Sequence, residues 1–208
     1  GLETARHFLA EGWSVIATMR SPREELFPET DRCRLLALDV TDPASIELYN
    51  AYYGLEHPSV PGYRIPEMFV AAARGDLKAL WIMGEDILQT DPNTCHVKSS
   101  LQGLDLLVVQ ELFMTETARI ADVIFPASSF LEKEGTFTNG ERRIQKVQRV
   151  VEPLEGTKPD GQIVVDMMRR MGYNQDGYSA DVILKEIAGI VPFFRGVRWD
   201  ELGKSGKQ

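Results

Sequence analysis

The first 46 residues alternate between helical and strand-like spacing. LETARHFLAE (2–11) carries Leu2, Ala5, Phe8 and Leu9 at helical intervals and is followed by Gly12, a residue suited to a left-handed cap, so a helix is predicted there. WSVIATMR (13–20) is β-rich, SPREELFPE (21–29) reads as a charged turn or short helix, and CRLLALDVTD (33–42) as a second apolar strand. From about 47 the texture becomes aromatic and proline-punctuated, and residues 47–65 read as a connector. PEMFVAAARGD (66–76) then predicts a helix, opened by Pro66 in its first turn and closed by Gly75. Three strands, LKALWIM (77–83), LDLLVVQ (104–110) and DVIFPA (122–127), are apolar on both faces and alternate with helical segments at 93–103 and 116–121. Beyond them IQKVQRVVE (144–152) reads as an edge strand. DGQIVVDMMRRM (160–171) reads as a helix capped by Asp160 and ended by Gly172, and residues 179–189 form a last helix.

This order of elements predicts an α/β fold: a mostly parallel, helix-covered, Rossmann-like sheet with a smaller α+β C-terminal part. The expected divisions are 1–46 (helix, strand, strand), 47–65 (connector), 66–127 (parallel α/β) and 128–208 (mixed α+β). The opening at Gly1, without methionine and already at a helix, suggests a piece of something longer or a processed chain.

Composition narrows the function classes. The 208 residues are 43% hydrophobic and 26% charged, enough for one core or two small ones. A net charge of -8 argues against nucleic acid and against a polybasic membrane contact. Neither an apolar run of the roughly 20 residues that span a bilayer nor a leader pattern is present, so a cytoplasmic location and no membrane partner are expected. Cys33 and Cys95 stand far apart and outside any CxxC spacing, and His7, His57 and His96 are scattered. No metal site and no catalytic set are therefore assigned.

In open parallel sheets ligands sit beyond the carboxyl ends of the strands, where loops expose backbone N–H groups and helix N-termini. Three such ends stand out: Met83-Gly84-Glu85-Asp86, Gln110-Glu111 and Phe125-Pro126-Ala127. Gly84 allows close backbone approach, Asp86 suits the donor edge of a guanine or a ribose better than a phosphate, and Thr90 and Gln110 can donate or accept nearby. A nucleotide-type ligand is one reading. A solvated turn with capping carboxylates is the other.

The series IMGEDILQTDP, LDLLVVQELFMTETARIADVIFPASSFLEKEGTFTNGERRIQ and VEPLEGTKPDGQIVVDMMRRMGY resembles, from about residue 48 onward, the catalytic subunit of molybdenum or tungsten formate dehydrogenases. These belong to the dimethyl sulfoxide reductase group of molybdopterin oxidoreductases. The resemblance implies part of a molybdopterin guanine dinucleotide site. It carries over Gly84, Glu85, Asp86, Thr90 and Gln110, the pair Ala121-Asp122, and Asn139, Glu141, Arg142 and Arg143 of FTNGERR. An arginine fork there suits phosphate or pterin edges, and a solvated salt-bridging edge is the competing reading. The resemblance also has gaps. The family's CxxCxxxC motif for [4Fe–4S], its cysteine or selenocysteine metal ligand and the neighbouring histidine and arginine are absent from this sequence. Without them this stretch is not expected to oxidise formate by itself. The implied partners are the remainder of the catalytic subunit or electron-transfer subunits.

The first 46 residues instead resemble a short-chain dehydrogenase/reductase entered just after its glycine-rich turn. Gly1 would be the last glycine of that turn, Arg20 the residue that meets the NADP 2′-phosphate, and Asp39 part of the pair that meets adenine. The phosphate loop and the YxxxK pair are missing, so NADP is not expected to bind. A chimera with a junction near 46–50 is the favoured expectation, and an unusual decoration of a molybdopterin domain is the other. An NADP-dependent reductase remnant and an inert structural body are the alternatives.

Overall fold

The computed structural model describes residues 15–19, 33–37, 43–58, 60, 62–173, 176–203 and 206–207. The predicted helix at 2–11, the turn at 21–29 and the residues Gly1, Arg20 and Asp39 lie outside the described residues. The chain forms two compact units, 1–62 and 63–208.

In the first unit β1 (Val15–Met19) and β2 (Cys33–Ala37) pair in parallel, with Val15 opposite Cys33 and Met19 opposite Ala37. Helix α1 (Pro43–Tyr53) occupies the first third of the expected connector 47–65 and runs continuously through the expected junction at 46–50. None of its residues is buried, so it lacks the one-sided apolar stripe by which helices are read from sequence. Local contacts hold its end instead. Tyr49 and Tyr53, one turn apart, stack at 6.4 Å, the His57 ring lies against both, and Asn50 Oδ1 accepts from the His57 backbone N–H at 2.8 Å.

The second unit is built on a parallel sheet of β3 (Ala79–Met83), β4 (Leu106–Glu111) and β5 (Val123–Pro126), side by side in chain order. Met83 lies opposite Gln110, and Gln110 opposite Phe125. Helix α2 (Ile65–Arg74) begins as its sequence predicts, with Pro66 in the first turn and Glu67 Oε2 accepting from the Arg64 N–H, and it ends at Gly75, whose φ of 77° is left-handed. Two shorter helices, α3 (Ile87–Thr90) and α4 (Thr94–Gln102), follow β3, and α5 (Glu116–Arg119) follows β4.

The pleat sorts the strand side chains. Ile82, Leu107 and Val109 point to one face and form the core with Phe69 of α2, Val97 and Leu101 of α4, Ile87 and Leu88 of α3, and Ala118 of α5. On the opposite face Trp81, Gln110 and Phe125 share a side by register, and the Trp81 and Phe125 rings meet at 5.7 Å. Residues 126–128 are bridged in parallel by Lys158, whose N–H donates to the Pro126 carbonyl while its own carbonyl accepts from Ser128.

The remaining chain forms the smaller mixed part: an antiparallel hairpin of β6 (Gly135–Thr138) and β7 (Ile144–Val147), then α6 (Asp160–Arg170) and α7 (Ala180–Ile190). The predicted edge strand at 144–152 stops at Val147, because β6 offers four residues to pair with; the Val150 and Val151 amides then turn to the Leu131 carbonyl. Ile144, Leu184, Val197 and Leu202 close a second, smaller core, and Lys146 Nζ rests 4.3 Å from the centre of the Trp199 ring.

Candidate functional site at the strand tips

Because β3, β4 and β5 are parallel neighbours, their carboxyl ends emerge on one edge. Backbone bonds bind the three tips together: Gly84 N–H donates to the Gln110 carbonyl at 2.9 Å, and Ala127 N–H to the Glu111 carbonyl at 3.1 Å. Gly84 has φ 64° and an ideal Cβ there would meet nothing within 4 Å, so its backbone lies open to approach. Thr90 donates its hydroxyl to Glu85 Oε1 at 3.0 Å, which brings these two residues together beside Gly84.

Asp86 is directed elsewhere than the sequence suggests. Its Oδ1 accepts from the Thr117 amide at 3.0 Å and from the Thr117 hydroxyl at 2.6 Å, and its Oδ2 takes a longer bond of 3.4 Å from the Glu116 amide. Burial alone pushes this carboxyl up, but the Thr117 hydroxyl and the two amides outweigh it and hold it below the usual aspartate value. Thr117 is fully buried, and its own oxygen accepts from the Leu88 amide at 3.1 Å. Asp86 is therefore a staple between the loops after β3 and β4, a role that the expectation of a ligand-binding carboxylate omitted.

Gln110 is the most enclosed of the expected residues, fully buried at the end of β4. Its Nε2 donates to Asp160 Oδ1 at 2.7 Å, while Asp160 Oδ2 takes the ammonium of Lys133. The sequence reads Asp160 as the cap of α6. The helix instead starts at Asp160 with Pro159 before it and no side-chain cap bond, because the carboxylate is spent on Gln110 and Lys133. Burial pushes the Asp160 carboxyl up, and the bonds from Lys133 and Gln110 bring it below the ordinary value. The Gln110 side-chain oxygen Oε1 is buried and has no hydrogen-bond partner, nor has the buried Trp81 Nε1 on the same face of the sheet. A ring also closes on the start of α6: Tyr178 packs so near Gly161 that an added Cβ would lie 2.1 Å from it.

Three expected residues fall away from the tips. Asp122 precedes β5 at the opposite, amino edge of the sheet, where its Oδ2 accepts from the Leu107 amide at 2.7 Å. Asn139 organises the β6–β7 turn, with Oδ1 accepting from the amides of Glu141 and Arg143. Arg142 sits in that turn at φ 61°, a left-handed position that the Asn139 bonds stabilise. Thr117, Lys133 and Glu132 were not singled out from sequence. Glu132 is nearly buried and accepts from the amides of Ser129 and Leu154 at 2.7 and 2.9 Å, and those amides hold its carboxyl below the ordinary value. Apart from the Ser129 amide beside Glu132, their partners are distant in the chain, so little local pattern marks them.

The donor set decides what such a site fits. Glu85 and Glu111 offer carboxylate acceptors at the tips and Gly84 leaves room for close approach, so the tips suit the N–H and O–H edges of a nucleoside. They do not suit a diphosphate, since the nearby cation Lys133 is engaged by Asp160. The residues present thus fit the nucleoside portion of a guanine dinucleotide. Among the described residues no three His, Cys, Asp or Glu side chains gather to hold a metal ion, and no helix is long and apolar enough to cross a membrane.

Comparison with known proteins agrees with this architecture. Over 168 residues the chain is 40% identical to formate dehydrogenase H of Escherichia coli, covering 80% of this chain and 24% of that protein. It is 40% identical over 167 residues to the alpha subunit of a formate dehydrogenase from Methanococcus maripaludis, covering 79% and 24% respectively. The chain therefore spans about a quarter of the length of these relatives. In structure it is similar to the acetylene hydratase of Pelobacter acetylenicus, with a TM-score of 0.53 over 80% of this chain and 24% of that one at 24% identity, a likeness of fold. The model of the molybdopterin oxidoreductase family matches residues 9–170, so it reaches into the segment read as short-chain-dehydrogenase-like and runs across α1. On that match, the chain belongs to the molybdopterin oxidoreductase family.

Proposed function

We propose that the unit 63–208 contributes the strand-tip part of a molybdopterin guanine dinucleotide site in a formate dehydrogenase catalytic subunit. The single observation that carries this reading is the convergence of three parallel strand tips on one edge beside an open Gly84. In this reading Gly84 lets the backbone meet the nucleoside, and Glu85, Thr90 and Gln110 take its base and ribose edges. Asp86 keeps the loops after β3 and β4 together. Asn139 holds the hairpin turn that carries Arg142, whose guanidinium has the geometry for the cofactor's phosphate or pterin part.

When bound, the cofactor's metal centre supplies the redox chemistry. The contribution of these residues is to hold and orient its nucleotide end. The 208 residues contain no CxxCxxxC motif, and their two cysteines lie outside a metal-ligand pattern, so formate oxidation requires groups from the remainder of a catalytic subunit and from electron-transfer subunits. We assign the protein to the cytoplasm.

The test is to produce the chain in cells that make molybdopterin guanine dinucleotide, purify it, and assay the released pterin and guanine nucleotide. Stoichiometric guanine-bearing pterin supports the reading. A preparation free of it from such cells, together with no binding of added cofactor, contradicts it.

A further inference from the structure

A cleft of about 420 Å³ opens between β5 and α6, and neither Gly84, Glu85, Thr90 nor Gln110 lines it. Its walls are mostly apolar: Phe125 and Pro126 come from β5, and Ile163 and Met167, one turn apart, from α6. The frame is fixed before anything enters. The Trp81 ring backs Phe125 at 5.7 Å, and the Lys158 N–H holds the Pro126 carbonyl. At Gly156, which also lines the cleft, an added Cβ would meet nothing within 4 Å, so no side chain of the protein occupies the space there. Clefts that hold small molecules run from about 300 to 1,000 Å³, apolar with a few placed polar groups.

The charged side chains that line the cleft do not cancel. Lys158 Nζ donates to Asp166 Oδ2 at 2.6 Å, and Gln162 Nε2 donates to Asp166 Oδ1 at 2.7 Å. The Lys158 bond, with that of Gln162, holds the Asp166 carboxyl below its ordinary value, so this acid is already satisfied. Arg170, in the last turn of α6, makes no hydrogen bond or ion pair among the described residues. In a chain of net charge -8 it is a local surplus of positive charge. A guanidinium fork takes a carboxylate through two parallel bonds, and a single negative charge costs less to bring beside apolar walls than the double charge of a phosphate. We propose that the cleft between β5 and α6 is a binding site for a small organic anion, with an apolar ring against Phe125, Ile163 and Met167 and one carboxylate on Arg170. This site is separate from the strand tips, and the inference does not depend on what they hold.

Naphthoate serves as the probe, and naphthalenemethanol, its uncharged counterpart, as the comparison. Each is titrated into the nitrogen-labelled chain by NMR, with thermal unfolding measured in parallel. The expected result is saturable naphthoate binding with shifts centred on the amides of Gly156, Lys158 and Met167, and binding of the alcohol about tenfold weaker, as loss of one charge-assisted contact produces. Arg170→Gln should weaken naphthoate about tenfold, to the level of the alcohol, and leave the unfolding midpoint in place, because Arg169 still supplies a cation at the end of α6. Met167→Trp, which fills the cleft with a larger side chain, should abolish binding of both compounds. The proposal is overturned if the wild-type chain shows no saturable naphthoate binding or if the shifts centre away from the cleft. It is equally overturned if Arg170→Gln binds naphthoate as the wild type does, or if the alcohol binds as tightly as the acid.

Discussion

Asp86 Oδ1 accepts both the amide N–H and the hydroxyl of Thr117, at 3.0 and 2.6 Å, across 31 residues of chain. The relationship joins the loop after one strand to the loop after its neighbour, and it places a carboxylate at the first turn of α5. The edge on which a ligand would sit is thus held together by side chains as well as by the ladder beneath it.

Removing this staple should be visible as stability. Asp86→Ala is expected to cost about 1 kcal/mol or somewhat more, the range for losing a helix-cap carboxylate, because the Thr117 and Glu116 amides lose their acceptor. Thr117→Val should cost about 1–3 kcal/mol through the unpaired Leu88 amide. The double variant should cost less than the sum of the two. Denaturant unfolding of all four proteins checks this, and strict additivity would mean that Asp86 and Thr117 do not share an interaction.

Gly84 separates strain from space. Its left-handed backbone, with nothing near an added Cβ, predicts a loss of about 1 kcal/mol for Gly84→Ala and a smaller one for Gly84→Asn, since asparagine tolerates that region. Stability curves for the two variants test the order. An alanine variant as stable as the parent would contradict the left-handed geometry.

Gly206→Ala should be harsher. An added Cβ would lie 2.4 Å from the Ile144 carbonyl oxygen, where backbone rather than a movable side chain must shift, and φ there is 69°. The bridge between Ile144 and Lys207 and the small core around Ile144 should loosen together, with a cost of about 1–3 kcal/mol. Faster amide exchange at Ile144 and Lys207, with β4 exchange unchanged, is the expected signature; uniform slowing or no change would refute it.

Acid should weaken the fold in a defined window. Asp86, Glu132 and Asp160 all have folded values below the ordinary carboxyl range, so their contribution is fully present above the unfolded pKa of about 4. It is lost as pH falls through the lower folded values. Glu132→Gln, which forfeits the charged acceptor for the Ser129 and Leu154 amides, should therefore lower stability at pH 7 and flatten its decline below pH 4 or so. Unfolding midpoints between about pH 2 and 7 test the sign; a variant that declines as steeply as the parent would contradict it.

What the sequence discloses follows the range of the interactions. The runs 77–83 and 104–110 become β3 and β4, and Pro66 and Gly75 bracket α2, because strand apolarity, proline and left-handed glycine are local signals. Helix α1 carries no buried face, and so no apolar periodicity marks it in the sequence. The edge strand expected over 144–152 ends at Val147 because its length depends on where β6 ends. The site follows the same division. Gly84, Glu85, Thr90 and Gln110 fall at the predicted tips, whereas the partners that give Asp86 and Asp160 their roles lie 31 and 50 residues away and carry no local mark. Asp122 stands next to a strand in sequence but at the wrong end of it in space.

The most direct test of the strand-tip site is a nitrogen-labelled NMR titration of the chain with GDP, using ADP as the comparison. The account predicts saturable shifts centred on the amides of Gly84, Glu85, Gln110 and Glu111 with GDP, weaker ones with ADP, and an unmoved Asp122 at the far edge of the sheet. Shifts scattered over the surface, equal for both nucleotides, or centred away from the three tips would contradict it.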